Sequence, residues 1–305
     1  MKGRILILGG SGFIGSHLTK KCRDLGLDCY SISIKKNKFV RNFENVNYHN
    51  IDLRNYESTK ELISNKDFNY IVNLSGYIDH RPFFNGGLEV FNNHFYSLIN
   101  VLRCVKLESI KKVIHIGSSD EYGNVTSPQS EYLRESPISG YSLAKLSCTN
   151  LLQMLHRTEN LPSIVLRLFL VYGEGQSEER FIPQLIKGCL GNKTFPVSSG
   201  NQIRDFCHID DVVDGIIAAL NSKEALGNII NIASGKPVKV KSVINKVIKL
   251  VGGGSPQFGL IPFRKDENMS LYADIKKAKE LLDWQPKINM TDGLTRTIKF
   301  YKFQQ

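Results

Sequence analysis

The chain alternates short apolar runs with longer stretches in which apolar residues recur every three or four positions. The first run, Arg4–Leu8 (RILIL), is continuously apolar after its first residue and predicts a strand buried on both faces. The alternation continues with predicted strands at Cys29–Ile34, Val46–Asp52, Tyr70–Leu74, Lys112–Gly117 and Ile164–Leu168, and predicted helices at His17–Leu25, Tyr56–Ser64, Leu88–Val105 and Tyr141–Thr158. Strands separated by helices run parallel, so the pattern predicts an α/β fold with a doubly wound parallel sheet.

The pattern becomes less regular after about Val171. Gly and Pro become frequent there, and three consecutive glycines stand at 252–254. These residues interrupt helices and strands, so we predict a second, smaller lobe of mixed α/β structure that follows the sheet.

Composition narrows the class of protein. The chain has 305 residues, of which 41% are apolar, which excludes a disordered protein. Its net charge of +11 is spread along the chain, so we interpret it as a lysine-rich solvated surface and predict no nucleic-acid partner.

Cysteine use and the apolar runs indicate the compartment. The six cysteines are dispersed and form no C-x-x-C pair, so we predict reduced core residues and no metal site. Four glycines interrupt the apolar run at the start of the chain, which argues against a signal peptide. Since no run reaches about 18 apolar residues, we predict a cytoplasmic protein with no membrane partner.

A glycine-rich turn follows the first strand. Gly9, Gly12 and Gly15 are spaced G-x-x-G-x-x-G and lie between RILIL and the next helix. Glycine lets a backbone approach a pyrophosphate closely, and the N-terminus of the helix stabilises its negative charge. We predict that these glycines, with Phe13 and Ile14, bind a dinucleotide; a tight turn without a ligand is the alternative.

The end of the second predicted strand bears on the choice of cofactor. An acidic residue there would accept the 2′-hydroxyl of the adenosine ribose in NAD, but the strand ends without one. Lys35 and Lys36, together with Arg41, offer positive charge for a 2′-phosphate, and solvated loop residues are the alternative. We therefore predict NADP rather than NAD.

Further cofactor contacts are predicted at the ends of two later strands. Asp52 is placed to touch the adenine, although it is equally suited to capping Arg54–Tyr56. The other predicted contacts are Leu53, Leu74, Ser75 and Gly76.

A tyrosine is followed by a lysine four residues later at three places, so this spacing alone does not identify a site. Tyr141 and Lys145 differ from the other pairs because their helix follows the fifth strand, which ends at Ser118 and Ser119. The carboxyl ends of parallel strands line the ligand crevice, and residues i and i+4 share a helix face. We predict that these four residues are catalytic, with an amphipathic helix edge as the alternative for the Tyr–Lys pair.

The chemistry requires such an arrangement. The pKa of a free tyrosine is about 10, so acid–base work near pH 7 requires a decrease of about three units, or about 4 kcal/mol. An ammonium group beside the phenol, here that of Lys145, favours the phenolate, and we expect it to lower the pKa of Tyr141. A hydroxyl from Ser118 or Ser119 can hold the substrate oxygen against it.

These segments, in order, resemble the extended short-chain dehydrogenase/reductase family. The match is carried by GGSGFIG, IGSSDEYG, YSLAK, LRLFLVYGEGQ, NQIRDFCHIDDV, LLDWQPK and GLTRTIKFY, and it runs from about Gly3 to Tyr301. Within that family the chain is similar to the nucleotide-sugar epimerase, dehydratase and 4-ketoreductase branch. Asn73 departs from the branch, since relatives often carry His there.

The resemblance implies two domains and their ligands. A Rossmann-type domain is expected at 1–170 plus about 205–222, and a nucleotide-sugar-binding domain at about 171–204 and 223–305. It implies Tyr141 as the acid/base, Lys145 on the nicotinamide ribose, and Ser118 as the catalytic hydroxyl, a role that Ser119 is close enough to take. It also implies that Arg204 binds the diphosphate; an ion pair with Asp205 or Asp210 is the alternative.

The resemblance leaves the reaction open among three types. The IGSSDEYG segment looks most like 4-ketoreductases, so we predict NADPH-dependent reduction of a nucleotide-activated 4-keto-6-deoxyhexose. An NAD-dependent 4-epimerase is an alternative, as is a 4,6-dehydratase that would use Asp120 or Glu121; for both acids the alternative is loop solvation. A non-catalytic dinucleotide sensor is the alternative from another class.

The resemblance also implies an assembly. Members of the family often form homodimers through two long helices from each chain. In this sequence those would be the helix after Asn85 and the helix that contains Tyr141.

Overall fold

A computed structural model describes residues 1–34, 42–263 and 267–304. Its strands are β1 (Arg4–Leu8), β2 (Asp28–Ile32), β3 (Val46–His49), β4 (Tyr70–Asn73), β5 (Lys112–Ser118), β6 (Ser163–Leu168), β7 (Leu170–Tyr172), β8 (Thr194–Val197), β9 (Ile203–Arg204), β10 (Phe206–His208), β11 (Ile229–Ile232), β12 (Val238–Lys239), β13 (Ser255–Phe258) and β14 (Ser270–Leu271). Its α-helices are α1 (Phe13–Asp24), α2 (Tyr56–Ile63), α3 (Leu88–Cys104), α4 (Gly140–Glu159), α5 (Phe181–Leu190), α6 (Ile209–Asn221), α7 (Val240–Val251), α8 (Lys276–Leu282) and α9 (Met290–Lys302).

Seven strands form a parallel sheet in the order β3-β2-β1-β4-β5-β6-β11. This order confirms the predicted doubly wound α/β fold, in which the chain leaves the centre in both directions. The last strand corrects the sequence analysis, which placed 223–305 in the smaller domain. β11 instead pairs with β6, because Ile230 and Ile232 are fully buried in the core beneath the sheet.

Helices cover both faces of the sheet, as the continuous apolar strands predict. Ile5 and Ile7 of β1 pack in a core that includes residues of α1 and α6. Leu6 and Leu8 point the opposite way, into a core that includes residues of α3 and α4. All four side chains are fully buried, so β1 stabilises both layers.

The smaller lobe has its own core. Ile186 of α5, Ile244 of α7 and Ile298 of α9 belong to this separate apolar cluster. Two small sheets accompany it, one of β8 with β13 and one of β12, β9 and β14. No helix within the described ranges is long and apolar enough to cross a membrane. All six cysteines are buried and unbridged, as predicted.

Candidate active site

A cleft with a volume of about 1220 Å³ lies beyond the carboxyl ends of β1, β4 and β5, and residues of the smaller lobe form its other wall. Most of the predicted site residues line it, namely Gly9, Gly12, Phe13, Ile14, Gly15, Leu74, Ser75, Gly76, Ser118, Ser119, Asp120, Tyr141, Lys145 and Arg204. The sheet topology explains this convergence, because parallel strands bring their carboxyl ends to the same edge.

The glycine turn has the geometry of an anion cradle. Gly9 has a φ of +78°, and a Cβ at Gly15 would lie 2.1 Å from the Gly9 carbonyl oxygen, so larger side chains are excluded at both positions. Helix α1 begins directly afterwards, with Gly12 as its N-cap, no capping side chain and no acidic residue in its first turn. The backbone N–H groups of that turn are therefore available to a pyrophosphate, which fits the predicted dinucleotide.

Two predicted cofactor contacts lie elsewhere. The Asp52 carboxylate accepts hydrogen bonds from the Arg54 backbone N–H at 2.9 Å and from its guanidinium at 2.7 Å, so the capping alternative is the one observed. Leu53 is buried in the core, and its carbonyl accepts a hydrogen bond from Asn100. Neither residue lines the cleft. The predicted charges at Lys35, Lys36 and Arg41 lie outside the described residues.

Helix α4 carries the tyrosine and the lysine into the cleft. It starts at Gly140 because the Ser139 hydroxyl accepts the Ser142 backbone N–H at 3.1 Å, and Ser142 bonds back to the Ser139 N–H. Tyr141 then lies in the first turn and Lys145 one turn later, and each is only 5% exposed. The two side chains therefore lie on one face of α4, as predicted.

Each of these two side chains contacts the end of β5. The Ser118 side chain lies close enough to Tyr141 to oppose the rise of the phenol pKa, and Lys145 Nζ donates to the Ile116 carbonyl at 2.8 Å. The Ser118 hydroxyl, the Tyr141 phenol and the Lys145 ammonium therefore lie in the same cleft as the glycine turn.

The pKa of Tyr141 differs from the sequence expectation. Burial is the largest effect and raises the pKa of the phenol above its usual value; the Asp120 charge raises it further, and the Ser118 hydrogen bond opposes the rise. Burial also lowers the pKa of Lys145, and its Nζ donates to the Ile116 carbonyl.

The two acids after the serines occupy different environments. Asp120 lines the cleft, and its carboxylate lies 3.6 Å from His80 Nε2. Glu121 is fully buried and forms an ion pair with Arg167 at 2.9 Å, so the loop-solvation interpretation is wrong for this residue. The charge of Glu121 is compensated inside the protein, and its carboxylate is not available to a substrate.

Arg204 lies in the wall that the smaller lobe contributes. Its guanidinium forms an ion pair with Glu267, which also lines the cleft, rather than with Asp205 or Asp210. Asp205 is fully buried and accepts the backbone N–H groups of Ser234 at 2.7 Å and Gly235 at 2.9 Å. Arg204 therefore lines the cleft with its charge paired to Glu267, and diphosphate binding by this residue stays a prediction.

Three residues around Tyr141 were not found from the sequence. His94 of α3 packs edge-on against the Tyr141 ring with a centroid distance of 5.4 Å, and His80 does so at 5.6 Å. Burial lowers the pKa of His94 to about 3, and its Nε2 donates to the Tyr77 carbonyl, so the ring is neutral. Arg180 lines the opposite wall. No local pattern marks these residues, since each reaches Tyr141 only through the tertiary fold.

The sequence is similar to those of nucleotide-sugar enzymes over most of its length. The sequence model of the NAD dependent epimerase/dehydratase family matches residues 5–233. A putative UDP-glucose 4-epimerase of Methanocaldococcus jannaschii is 30% identical over 314 residues and covers 98% of both chains. The UDP-glucuronate 4-epimerase of Thermodesulfobacterium geofontis is 29% identical and covers 98% of this chain and 96% of its own.

Solved structures show the same fold along the whole chain. The UDP-glucose 4-epimerase of Thermotoga maritima has a TM-score of 0.91 at 23% identity and covers 99% of each chain. The UDP-glucuronic acid 4-epimerase of Bacillus cereus, solved with UDP-glucuronic acid and NAD, has a TM-score of 0.87 at 27% identity and covers 99% of this chain and 100% of its own.

Proposed function

Because the chain belongs to the NAD dependent epimerase/dehydratase family of nucleotide-sugar enzymes, we propose that it is an NAD-dependent epimerase acting at C4 of a nucleotide sugar. The observation that carries the proposal is the placement of Tyr141 against Ser118, with Lys145 one helical turn away, in the same cleft as the glycine cradle. The full-length relatives described as 4-epimerases support this choice over the reductase that the sequence analysis favoured.

The first half of the reaction oxidises the C4 alcohol of the sugar to a ketone, with a hydride leaving C4 and a proton leaving its hydroxyl group. NAD, which the glycine turn at Gly9, Gly12 and Gly15 would hold, would supply the hydride acceptor for C4 and would return the hydride, so no net oxidation or reduction of the cofactor would result. Tyr141 takes the proton of the C4 hydroxyl as the C4–H bond breaks, and the Ser118 hydroxyl holds the reacting oxygen in line with the phenol. His94 and His80 restrict the phenol ring from two sides.

The second half inverts the configuration. The 4-keto sugar must present its other face before the hydride returns, so it needs room to turn while the diphosphate stays bound. A cleft of about 1220 Å³ supports that movement, and we propose that Arg204, which lines it, holds the diphosphate. Tyr141 then donates its proton to the C4 oxygen and is regenerated as the base.

The alternatives are less well supported. A 4,6-dehydratase needs a carboxylate that works on C5 and C6; Glu121 is fully buried and engaged with Arg167, which leaves only Asp120 in the cleft for that task. Net 4-keto reduction and NADP, both predicted from the sequence, lack support from these relatives, and the Bacillus cereus structure contains NAD. We therefore propose NAD as the cofactor, and a cytoplasmic location stays a prediction.

The proposal is tested by following the sugar rather than the cofactor. We expect that purified protein with NAD converts UDP-glucuronate or UDP-glucose into its C4 epimer, detected by proton NMR, without net NADH accumulation. Oxidation of NADPH by a 4-keto-6-deoxy sugar, with no epimer from either substrate, would establish the reductase instead. Bound NAD with no turnover in either assay would support the sensor.

We propose a homodimer, because members of the family often pair through two long helices from each chain. Helices α3 and α4 pack against each other and leave large apolar side chains exposed, including Leu88 and Tyr96 on α3 and Leu143 and Met154 on α4. Light scattering coupled to size exclusion should give twice the chain mass of 34.4 kDa. Replacing Tyr96 by Glu should give the monomer mass.

A further inference from the structure

A buried carboxylate connects the two elements that carry the catalytic groups. Glu121 Oε1 accepts the Ser118 backbone N–H at 2.8 Å, so it holds the end of β5. Its Oε2 accepts the Thr149 hydroxyl at 2.9 Å, and Thr149 belongs to α4. Glu121 and Thr149 are fully buried, so water does not compete for these bonds.

The spacing along α4 makes this link relevant to the site. Tyr141, Lys145 and Thr149 stand at i, i+4 and i+8, which places them along one face of the helix. Glu121 holds Thr149 while it also holds the Ser118 backbone. One buried side chain therefore ties the Ser118 backbone to α4 at a point two turns after Tyr141.

The Glu121 side chain is itself held in place by neighbouring residues. Arg167 donates to Glu121 at 2.9 Å and to Glu135 at 2.6 Å, and its guanidinium lies 4.5 Å from the centre of the Tyr122 ring. The Tyr122 hydroxyl donates to Asn231 of β11 at 2.8 Å. Since a buried charge is stable only when it is paired and hydrogen-bonded, these contacts leave Glu121 little freedom to move.

We propose that Glu121 is a positioning residue, which sets the Ser118–Tyr141 geometry by tying the end of β5 to α4. The proposal rests on the proposed C4 chemistry, in which both hydroxyls meet the same sugar oxygen. It assigns to Glu121 a role that differs from the direct acid catalysis considered for a dehydratase, because the carboxylate does not line the cleft.

Glu121 also acts on Tyr141 through its charge, which adds to the burial and the Asp120 charge that raise the pKa of the phenol. The groups that face Tyr141 are Ser118 and Asp120 from the end of β5 and the turn after it, His80 from the loop after β4, His94 from α3, Arg180 before α5, and Lys145 from α4 itself. Removing the Glu121 charge should therefore move the ascending limb of the pH profile, where activity rises with pH, to lower pH, because Tyr141 then ionises more easily.

The test compares Glu121→Gln with Glu135→Gln. Both variants remove one carboxylate from Arg167, but Glu135 has no bond to Ser118 or Thr149. A glutamine at 121 presents an NH₂ group to at least one of the donors that now meet a carboxylate. We expect Glu121→Gln to lower kcat at least tenfold with less than a threefold change in KM, and to shift the ascending limb of the kcat profile to lower pH. Glu135→Gln should stay within threefold of wild type.

A folded Glu121→Gln protein with wild-type kcat and pH profile would overturn the proposal. If that variant does not fold, Thr149→Val removes only the bond to α4, and we expect it to lower kcat three- to tenfold; wild-type kcat in that variant would equally refute the link. If wild-type protein forms no C4 epimer, the proposed function fails. Crystal structures then decide the positioning role, because the Ser118 Oγ to Tyr141 Oη distance must lengthen in the Glu121→Gln variant but not in the Glu135→Gln variant.

Discussion

Lys145 Nζ donates a hydrogen bond of 2.8 Å to the Ile116 carbonyl, and this contact joins α4 to the end of β5 beside the glycine cradle. The ammonium is held at a defined position although the side chain is only 5% exposed. Because Lys145 also lines the cleft, we predict that its ammonium group binds the cofactor there.

Tyr141→Phe should lower kcat by about 10³-fold, because the proton acceptor is lost while the ring and its contacts with His80 and His94 remain. The affinity for NAD, measured by calorimetry, should change less than threefold. Tyr272→Phe is the matched control, since Tyr272 has the same spacing to a lysine but does not line the cleft. Near-normal turnover of Tyr141→Phe would exclude the assignment.

Lys145→Met should weaken both NAD binding and turnover, each by at least tenfold. The change removes the ammonium and leaves the Ile116 carbonyl without its donor. Lys276→Met is the control, because Lys276 also follows a tyrosine by four residues and its side chain is 83% exposed. Calorimetry with NAD and initial rates with the sugar measure the two effects separately; unaltered NAD affinity would contradict the prediction.

Asp120→Asn should shift the ascending limb of the kcat/KM profile, where activity rises with pH, to lower pH by roughly half to one unit. Tyr141 must lose its proton before it can accept one, and its pKa is raised by burial and then by the Asp120 charge. Removing that charge lowers the pKa, so the phenolate forms at lower pH. The measurement is the pH dependence of kcat/KM between pH 6 and pH 10. A limb that stays in place, or moves to higher pH, would show that Asp120 does not act on the phenol.

Gly15→Ala should abolish measurable NAD binding or prevent folding, because a Cβ there would lie 2.1 Å from the Gly9 carbonyl oxygen. Backbone atoms cannot move away as a flexible side chain can. Gly191→Ala is the control, since its nearest new contact would be 3.3 Å and its φ is −76°. Thermal unfolding with and without NAD separates a loss of NAD binding from a loss of folding. An NAD-dependent increase in unfolding temperature equal to that of wild type would argue against NAD binding at the glycine turn.

Arg180→Met should distinguish acidic from neutral sugars. Arg180 lines the cleft and its positive charge acts on Tyr141, so a carboxylate on C6 of the substrate would lie close to it. We expect kcat/KM to fall at least tenfold more for UDP-glucuronate than for UDP-glucose. Arg157→Met, in the last turn of α4, serves as the control for lost surface charge. An equal decrease in kcat/KM for both sugars would show that Arg180 does not recognise a carboxylate on C6.

The sequence by itself determined the features that depend on local order. Continuous apolar strands alternating with helices imply a parallel sheet covered on both faces, and β1 has that environment. The spacing of Gly9 and Gly15 follows from a turn that only glycine can make. Tyr141 and Lys145 share a face because of the helical repeat, whatever surrounds the helix.

Only the tertiary structure decided the environment of the charged and titratable side chains, because that environment is formed by residues that are distant in the chain. Glu121 reads as a loop acid beside Asp120, yet Arg167, on a neighbouring strand, makes it a buried ion pair. His94 reaches Tyr141 from another helix, and burial there keeps its ring neutral. Whether a charge is solvated, paired or turned toward a substrate depends on the packing around it, which the local pattern of residues does not contain.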